Sequence, residues 1–360
     1  MTTVDDPAPV VGLPERGDFA GRIGLIEPAG LRTAGYARAA YIESVGPAEA
    51  IRIGEVAVPP LGQSDVLVDV EVTTVNPVDT FVRSGLFAVP GPFPLVVSRD
   101  LVGTVREVGC GASGFAPGDR VWCNSLGHGG RQGAAAERVA VAADRLYPMP
   151  AGVGAVDTVA VLHPAATAYL ALFTHGRLRA GDTVLVSGAA GNVGSALVLL
   201  AAWAGATVLA TARPADAEHC RSLGAVEVFD YTDPNLAGRV RAASPRGVDL
   251  VLDTSGVNDL TTSVEVLARR GRIVLLAGAR TRPVLPAGAL YMKDGAIVGF
   301  VISHAGVSEL AEAAGLINQL LAGGQLRART VEERPLAAMP SVHRELEDGR
   351  LRGVRTVLHV

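Results

Sequence analysis

The stretch Thr183-Val-Leu-Val-Ser-Gly-Ala-Ala-Gly-Asn-Val-Gly194 decides the fold. Thr183 to Val186 is a short apolar run with a β-branched bias, which reads as a buried strand. Gly188, Gly191 and Gly194 mark a tight turn. From Ser195 a run of small and apolar residues continues as a helix that Gly205 stops. Strand, glycine turn and helix together set backbone N–H groups and a helix N-terminus against a pyrophosphate. Glycine is needed because a Cβ would block the phosphate or push the helix off the sheet. The spacing departs from G-x-G-x-x-G: position 189 is Ala, and Gly188 stands one residue earlier. A second strand at 206–211 follows the helix directly, the context a dinucleotide site requires.

The end of that second strand separates the two nicotinamide dinucleotides. A site for NAD wants Asp or Glu there to hold the ribose 2′-hydroxyl; a site for NADP wants a cation. Ala210-Thr-Ala-Arg-Pro214 holds no acid, and Arg213 offers a planar fork to a 2′-phosphate. Thr211 sits in the same turn. Tyr231, after a third strand at 226–230, is the expected flank of the adenosine. The expected cofactor is NADPH.

A chain of 360 residues is enough for two domains, and 49% hydrophobic residues support a large core. A net charge of −4 with both signs interspersed argues against a nucleic-acid or membrane surface. Cys110, Cys123 and Cys220 are widely spaced and odd in number, so they frame no disulfide scaffold and suit a reducing cytoplasm. No apolar run reaches the length of a membrane span. Of the 32 basic residues all but Lys293 are arginine. Against such a bias, a retained lysine suggests a position that wants a compact ammonium.

Residues 1–37 lack periodicity, are rich in Pro and Gly, and read as an N-terminal extension. Strands at 39–42, 66–72, 101–108 and 120–123 then describe a small, mostly antiparallel barrel-like domain. A βαβ series follows, with strands at 183–187, 206–211, 226–230, 248–253, 272–276 and 296–302. Helices lie between them at 192–204, 215–223, 235–243 and 258–269. This is an α/β, doubly wound parallel sheet. The tail is a helix from Ser308, its expected N-cap, to about 321, a second near 341–348, and a strand at 356–360.

These pieces resemble the medium-chain dehydrogenase/reductase superfamily, in its zinc-independent quinone oxidoreductase branch. The segments that carry the likeness are Val66-Leu-Val-Asp-Val, Asn76-Pro-Val-Asp-Thr-Phe-Val-Arg-Ser-Gly85, Gly118-Asp-Arg-Val121, Ala136-Glu-Arg-Val139, the Gly188 turn, Val248-Asp-Leu-Val-Leu-Asp253 and Gly353-Val-Arg-Thr-Val-Leu358. The resemblance implies a GroES-like substrate domain at 38–164 and 307–360 and a Rossmann domain at 165–306, with the active site in the cleft between them. It implies a homodimer paired through edge strands at 296–302. It also places Gly188, Ala190, Gly191, Asn192, Val193, Thr211, Arg213, Tyr231 and Ser255 on the cofactor. Thr167, Gly278, Phe300 and Val301 fall beside its nicotinamide half, and Arg355 within reach of phosphate or substrate, as is Lys293. Asn76 is the expected donor to a substrate oxygen, with Asp79 and Arg83, three and seven residues on, facing the same cleft as catalytic partners.

No metal is expected. Zinc-dependent members of the superfamily carry Cys at the Val75-Asn76 region and His-Glu at Arg99-Asp100, and their four-cysteine lobe has no counterpart here. Without a metal to polarise a carbonyl, hydride transfer to a conjugated acceptor is the easier chemistry, because the charge spreads onto an oxygen that hydrogen-bond donors stabilise. The expected substrate is a small quinone or an activated alkene of enone or enal type. Many relatives have tyrosine where this chain has Phe87 and Ala135. A phenyl ring cannot donate the proton a phenol can, so a dedicated biosynthetic reductase of a bulky unsaturated intermediate is the alternative. A non-catalytic NADPH-binding protein is the third reading.

Overall fold

The strand signals of the first half resolve into two linked, mostly antiparallel sheets. The computed structural model describes residues 35–87, 91–127 and 129–360. Strand β1 (Tyr36–Ile42) pairs with β2 (Arg52–Ala57); β3 (Asp65–Thr74) is the long central strand; helix α1 (Pro77–Ser84) follows it, and β4 (Leu95–Val96) adds to β1. Then come β5 (Asp100–Val108), β6 (Arg120–Cys123), β7 (Arg138–Ala142) and β8 (Tyr147–Pro148), before the long helix α2 (Ala155–Tyr169). The residues expected to form the N-terminal extension lie outside the described residues, apart from the last three, and the strand β1 already begins at Tyr36.

The second half alternates strand and helix. Strand β9 (Thr183–Ser187) leads into α3 (Asn192–Trp203), β10 (Thr207–Ala212), α4 (Ala217–Ser222), β11 (Ala225–Asp230), α5 (Leu236–Ala243), β12 (Val248–Asp253), α6 (Leu260–Val266), β13 (Leu267–Leu275), α7 (Ala287–Tyr291) and β14 (Ala296–Gly299). Helix α8 (Val307–Ala322), β15 (Val331–Pro335), α9 (Met339–Glu347) and β16 (Arg355–His359) complete the chain.

The second-half strands form one parallel sheet in the order β11-β10-β9-β12-β13-β14. The order reverses at β9, whose neighbours are β10 on one side and β12 on the other, and a crevice opens at the carboxyl ends of strands at such a point. The last two strands return to the first half: β15 and β16 join β3, β5, β6 and β8 in a seven-stranded sheet, with β7 also paired to β3. An isolated bridge between Ala39 and Ala136 ties this sheet to the three-stranded one.

Several expectations change. Helix α2 was not foreseen, because it is apolar on all sides and contains Pro164, which reads as a break. A 21-residue helical stretch, Ala155–His175, is long and apolar enough to cross a membrane, contrary to the sequence reading. Of its most apolar 18-residue window 72% is buried inside the fold, and the helix packs against α3, α8, β3 and β5, which explains an apolar surface all round. It also runs through the expected domain boundary after Pro164. The helix expected at 258–269 ends at Val266, because the chain then opens out to pair Leu267 with Val248 of β12. Helix α8 starts from Gly306 rather than Ser308: the Glu309 carboxylate accepts from the Gly306 N–H at 2.8 Å. Strand β14 is shorter than expected and lies at the edge of its sheet.

Candidate active site

The glycine turn leaves β9 at the reversal point of the sheet. Gly188 sits at φ +76°, and a Cβ there would meet Thr254 Oγ1 at 2.7 Å. The Thr254 hydroxyl donates to the carbonyl of Ser187 at 2.8 Å, so the ends of β9 and β12 are pinned side by side. A Cβ on Gly194 would stand 2.2 Å from the Gly188 carbonyl, so glycine lets α3 pack directly on the turn. Gly191 differs: a Cβ there would meet only the Gly188 carbonyl, at 3.4 Å, and its outward side is open. Gly191 is the N-cap of α3 and no side chain caps the helix, so its first N–H groups face that opening. An open turn with uncapped N–H groups fits a pyrophosphate. Ala190 and Val193 are half-buried in the turn. The Asn192 amide donates to the carbonyl of Val354 at 3.3 Å, joining the turn to the C-terminal segment. Ser255 is held by Asp253, whose carboxylate accepts from both its N–H and its hydroxyl.

The end of β10 is held by ion pairs. Thr211 is buried and Tyr231 is exposed on the neighbouring strand end. Arg213 donates from Nε to Asp216 at 2.8 Å, and the other carboxylate oxygen accepts from Arg329 at 2.7 Å. Neither Asp216 nor Arg329 was singled out from sequence. Arg329 carried no signal, since it comes from the segment between α8 and β15.

The positions expected beside the nicotinamide half come from three elements. Thr167 is half-buried on α2, with its hydroxyl donating to the carbonyl of His163. Gly278 sits at φ +86°, where a Cβ would strike the Asn258 amide at 2.4 Å. Phe300 stacks on His175 with ring centroids 4.3 Å apart, and Val301 follows it before a short helical turn, Ile302–His304.

A buried polar corner forms where α1, β5, α2 and β16 meet. Asn76 caps α1, and its backbone N–H donates to Asp79 Oδ2 at 2.7 Å. The Asn76 amide donates to Asp100 Oδ2 at 2.9 Å, while its own Oδ1 has no partner among the described residues. Arg99 reaches Asp79 at 3.4 Å and donates to Ser303 Oγ at 2.9 Å, so it spans from β5's start to the turn after β14. Burial pushes the Asp100 carboxyl up to about 8, with the Asp79 charge adding to the rise, and burial also raises Asp79. His163 is driven well below its ordinary value by burial and by Arg99 and Arg355. Asp100 Oδ1 and His163 Nδ1 stand 3.8 Å apart, and neither has a hydrogen-bond partner. With the acid protonated and the imidazole neutral, this is a contact between two neutral groups, not an ion pair.

Three assignments are corrected. Arg83 does not face the Asn76 corner: it is buried and donates to the Gly46 carbonyl and to Glu347 on α9. It lies four residues beyond Asp79, about 6 Å along the helix axis, beside a different set of acceptors. Arg355 is buried under the corner, donating to the carbonyls of Ala160 and Val75 and to the Thr74 hydroxyl, with Asp100 at 4.0 Å. A buried cation needs such partners, so it braces the corner instead of reaching for phosphate. Lys293 caps α6: its ammonium donates to the carbonyls of Val264, Glu265 and Leu267 at 2.8, 2.9 and 2.6 Å. Three donors on one nitrogen serve three orphan carbonyls, which a planar guanidinium does not.

A parallel sheet with an open glycine turn at its reversal point, joined to an antiparallel sheet domain by a buried polar corner, defines a two-domain dinucleotide-dependent oxidoreductase. Comparison with known proteins agrees. Residues 62–151 match the alcohol dehydrogenase GroES-like domain and residues 192–319 match the zinc-binding dehydrogenase domain. The quinone oxidoreductase of Mus musculus is 31% identical over 320 residues, covering 87% of this chain and 94% of that protein. The solved quinone oxidoreductase of Pseudomonas syringae pv. Tomato DC3000 is 26% identical with a TM-score of 0.80, covering 90% of this chain and 100% of that one. That of Escherichia coli, solved in complex with NADPH, shares the fold at 23% identity and a TM-score of 0.78, covering 90% of this chain and 100% of that one. The chain belongs to the medium-chain dehydrogenase/reductase superfamily, in the quinone oxidoreductase branch. It is an oxidoreductase working with a nicotinamide cofactor on a small molecule. Among the described residues, no three of His, Cys, Asp and Glu are grouped to hold a metal ion, despite the name of the second matched domain.

Proposed function

We propose that this enzyme is a zinc-independent, NADPH-dependent reductase of quinones or of activated alkenes of the enone or enal type. The observation that carries the reading is the corner itself. Where a metal site would need three or four converging ligands, this corner sets the Asn76 amide and the Arg99 guanidinium among Asp79, Asp100 and His163, and those three, like all the described residues, form no group placed to hold a metal ion. The dinucleotide, when bound, supplies the hydride. The chain's own groups do the rest. The Gly188–Gly194 turn and the start of α3 hold the pyrophosphate, with Ala190, Gly191, Asn192, Val193 and Ser255 around it. Arg213 and Tyr231 receive the adenosine end. Thr167, Gly278, Phe300 and Val301 bound the nicotinamide half. Asp100 takes one N–H of the Asn76 amide, which fixes the amide and leaves its second N–H for a substrate oxygen. Arg99 adds positive charge where that oxygen gains electron density.

Two features support further parts of the proposal. Phe87 packs edge-to-face on Phe81 with centroids 5.4 Å apart, so an apolar wall stands where relatives offer a phenol, which favours a dedicated acceptor. Ala135 is fully buried, its backbone bonded to Val97 and Ala40, so the second lost phenol belongs to the sheet core. The free edge of β14 supports pairing with a second copy, which sedimentation tests.

The test is oxidation of NADPH by a panel of quinones, enones and enals. Turnover with one class supports the reading; tight NADPH binding with no turnover on any member would count against it. Dialysis against a strong chelator should leave the rate unchanged, and a loss restored by zinc would refute the metal-free mechanism.

A further inference from the structure

Asp216 is the buried centre of a three-residue ion cluster at the end of β10. Its two oxygens accept from two different arginines, Arg213 at 2.8 Å and Arg329 at 2.7 Å. These hydrogen bonds, that from Arg329 foremost, hold the carboxyl below its ordinary range. One carboxylate needs one cation. Two guanidiniums on it leave a positive charge in excess, and both side chains reach solvent: Arg213 is 60% exposed and Arg329 35%. Each uses a single nitrogen on Asp216 and has no other hydrogen-bond partner among the described residues. The remaining N–H groups of the two forks are left uncommitted on either side of Asp216, next to the strand end where this class of sheet places the cofactor's adenosine ribose. His219 does not add to the charge: burial and Arg329 lower it, and it contacts Ser195 Oγ at 2.9 Å.

We propose that Arg329 completes, with Arg213, a two-arginine clamp for the 2′-phosphate of the cofactor, and that Asp216 is the strut that aims both. The proposal rests on the NADPH reading and adds a residue from the other half of the molecule. Arg329 lies 113 positions from Asp216, on the segment that leads into β15 and the seven-stranded sheet. A dianionic phosphate takes charge-assisted, bidentate bonds from both forks. A 2′-hydroxyl has no use for the second cation.

Calorimetric binding of adenosine 2′,5′-bisphosphate and adenosine 5′-monophosphate tests this without turnover. The intact protein is expected to prefer the bisphosphate. Arg329→Ala should weaken the bisphosphate roughly tenfold or more and leave the monophosphate within about twofold. Arg329→Lys, which keeps the charge but not the fork, should recover part of the loss. If the intact protein prefers the bisphosphate and Arg329→Ala does not change that preference, the clamp is wrong and the NADPH reading stands. If the intact protein shows no preference, both fall. An equal loss for the two nucleotides would mark Arg329 as structural and also overturn the clamp.

Discussion

Replacing Asp100 by Asn should make folding stability less sensitive to pH, without weakening the fold at pH 6. The carboxyl is fully buried, and burial with the nearby Asp79 charge raises it to about 8. In the unfolded chain it titrates near 4. Between those values the folded protein holds a proton that the unfolded chain has released, so stability falls as pH rises through the window and levels off above about 8. From pH 6 to pH 8 the loss amounts to about 2 kcal/mol. Asn copies the protonated acid. Its carbonyl oxygen can accept from the Asn76 amide, as Asp100 Oδ2 does at 2.9 Å, and its N–H can face His163 Nδ1, now 3.8 Å from Oδ1. Asp100→Leu has neither capacity; it leaves the buried Asn76 amide without its acceptor and should lose roughly 1–3 kcal/mol. Urea unfolding followed by tryptophan fluorescence at pH 6, 7, 8 and 9 gives all three curves. Groups elsewhere that titrate in this range cancel in the difference between intact and variant protein. Parallel pH profiles for the intact protein and Asp100→Asn, or an Asn variant as unstable at pH 6 as the Leu variant, would refute a neutral Asp100.

Substitutions at three other positions probe the site and its frame. Arg213→Ala should raise the NADPH Michaelis constant by about tenfold and hardly move that for NADH; equal effects on both would remove Arg213 from the 2′-phosphate. Gly188→Ala places a Cβ 2.7 Å from Thr254 Oγ1 at φ +76°. It should lower stability by about 1–2 kcal/mol and abolish NADPH binding in a fluorescence titration, whereas retained affinity would show that the turn has slack. Lys293→Met strands three carbonyls at the end of α6 and should lose roughly 1–3 kcal/mol on thermal unfolding. Lys293→Arg should recover only part of that, and full recovery would show that charge alone matters there.

Much of this protein was legible in order along the chain. The glycine turn, the strands around it and the alternation of strand and helix from residue 183 follow from local rules: a buried strand is apolar, a phosphate turn excludes Cβ atoms, and a helix period differs from a strand period. The oddity of Lys293 was also visible as a residue type out of place, whereas Asn76 was marked only by the motif it shares with the family. What the sequence could not show is where long side chains end. Arg83, Arg355 and Lys293 each lay in a suggestive position, yet Arg83 reaches Gly46 and Glu347, Arg355 reaches Ala160 and Asp100, and Lys293 ends on α6. Helix α2 hid for the complementary reason: a helix buried on every side has no polar face to give it a period. The meeting of Asp216 with Arg329, 113 positions apart, is fixed only when the last strands return to the first sheet. Local propensity is written in neighbours along the chain; charge pairing and burial depend on neighbours in space, which only the packed fold supplies.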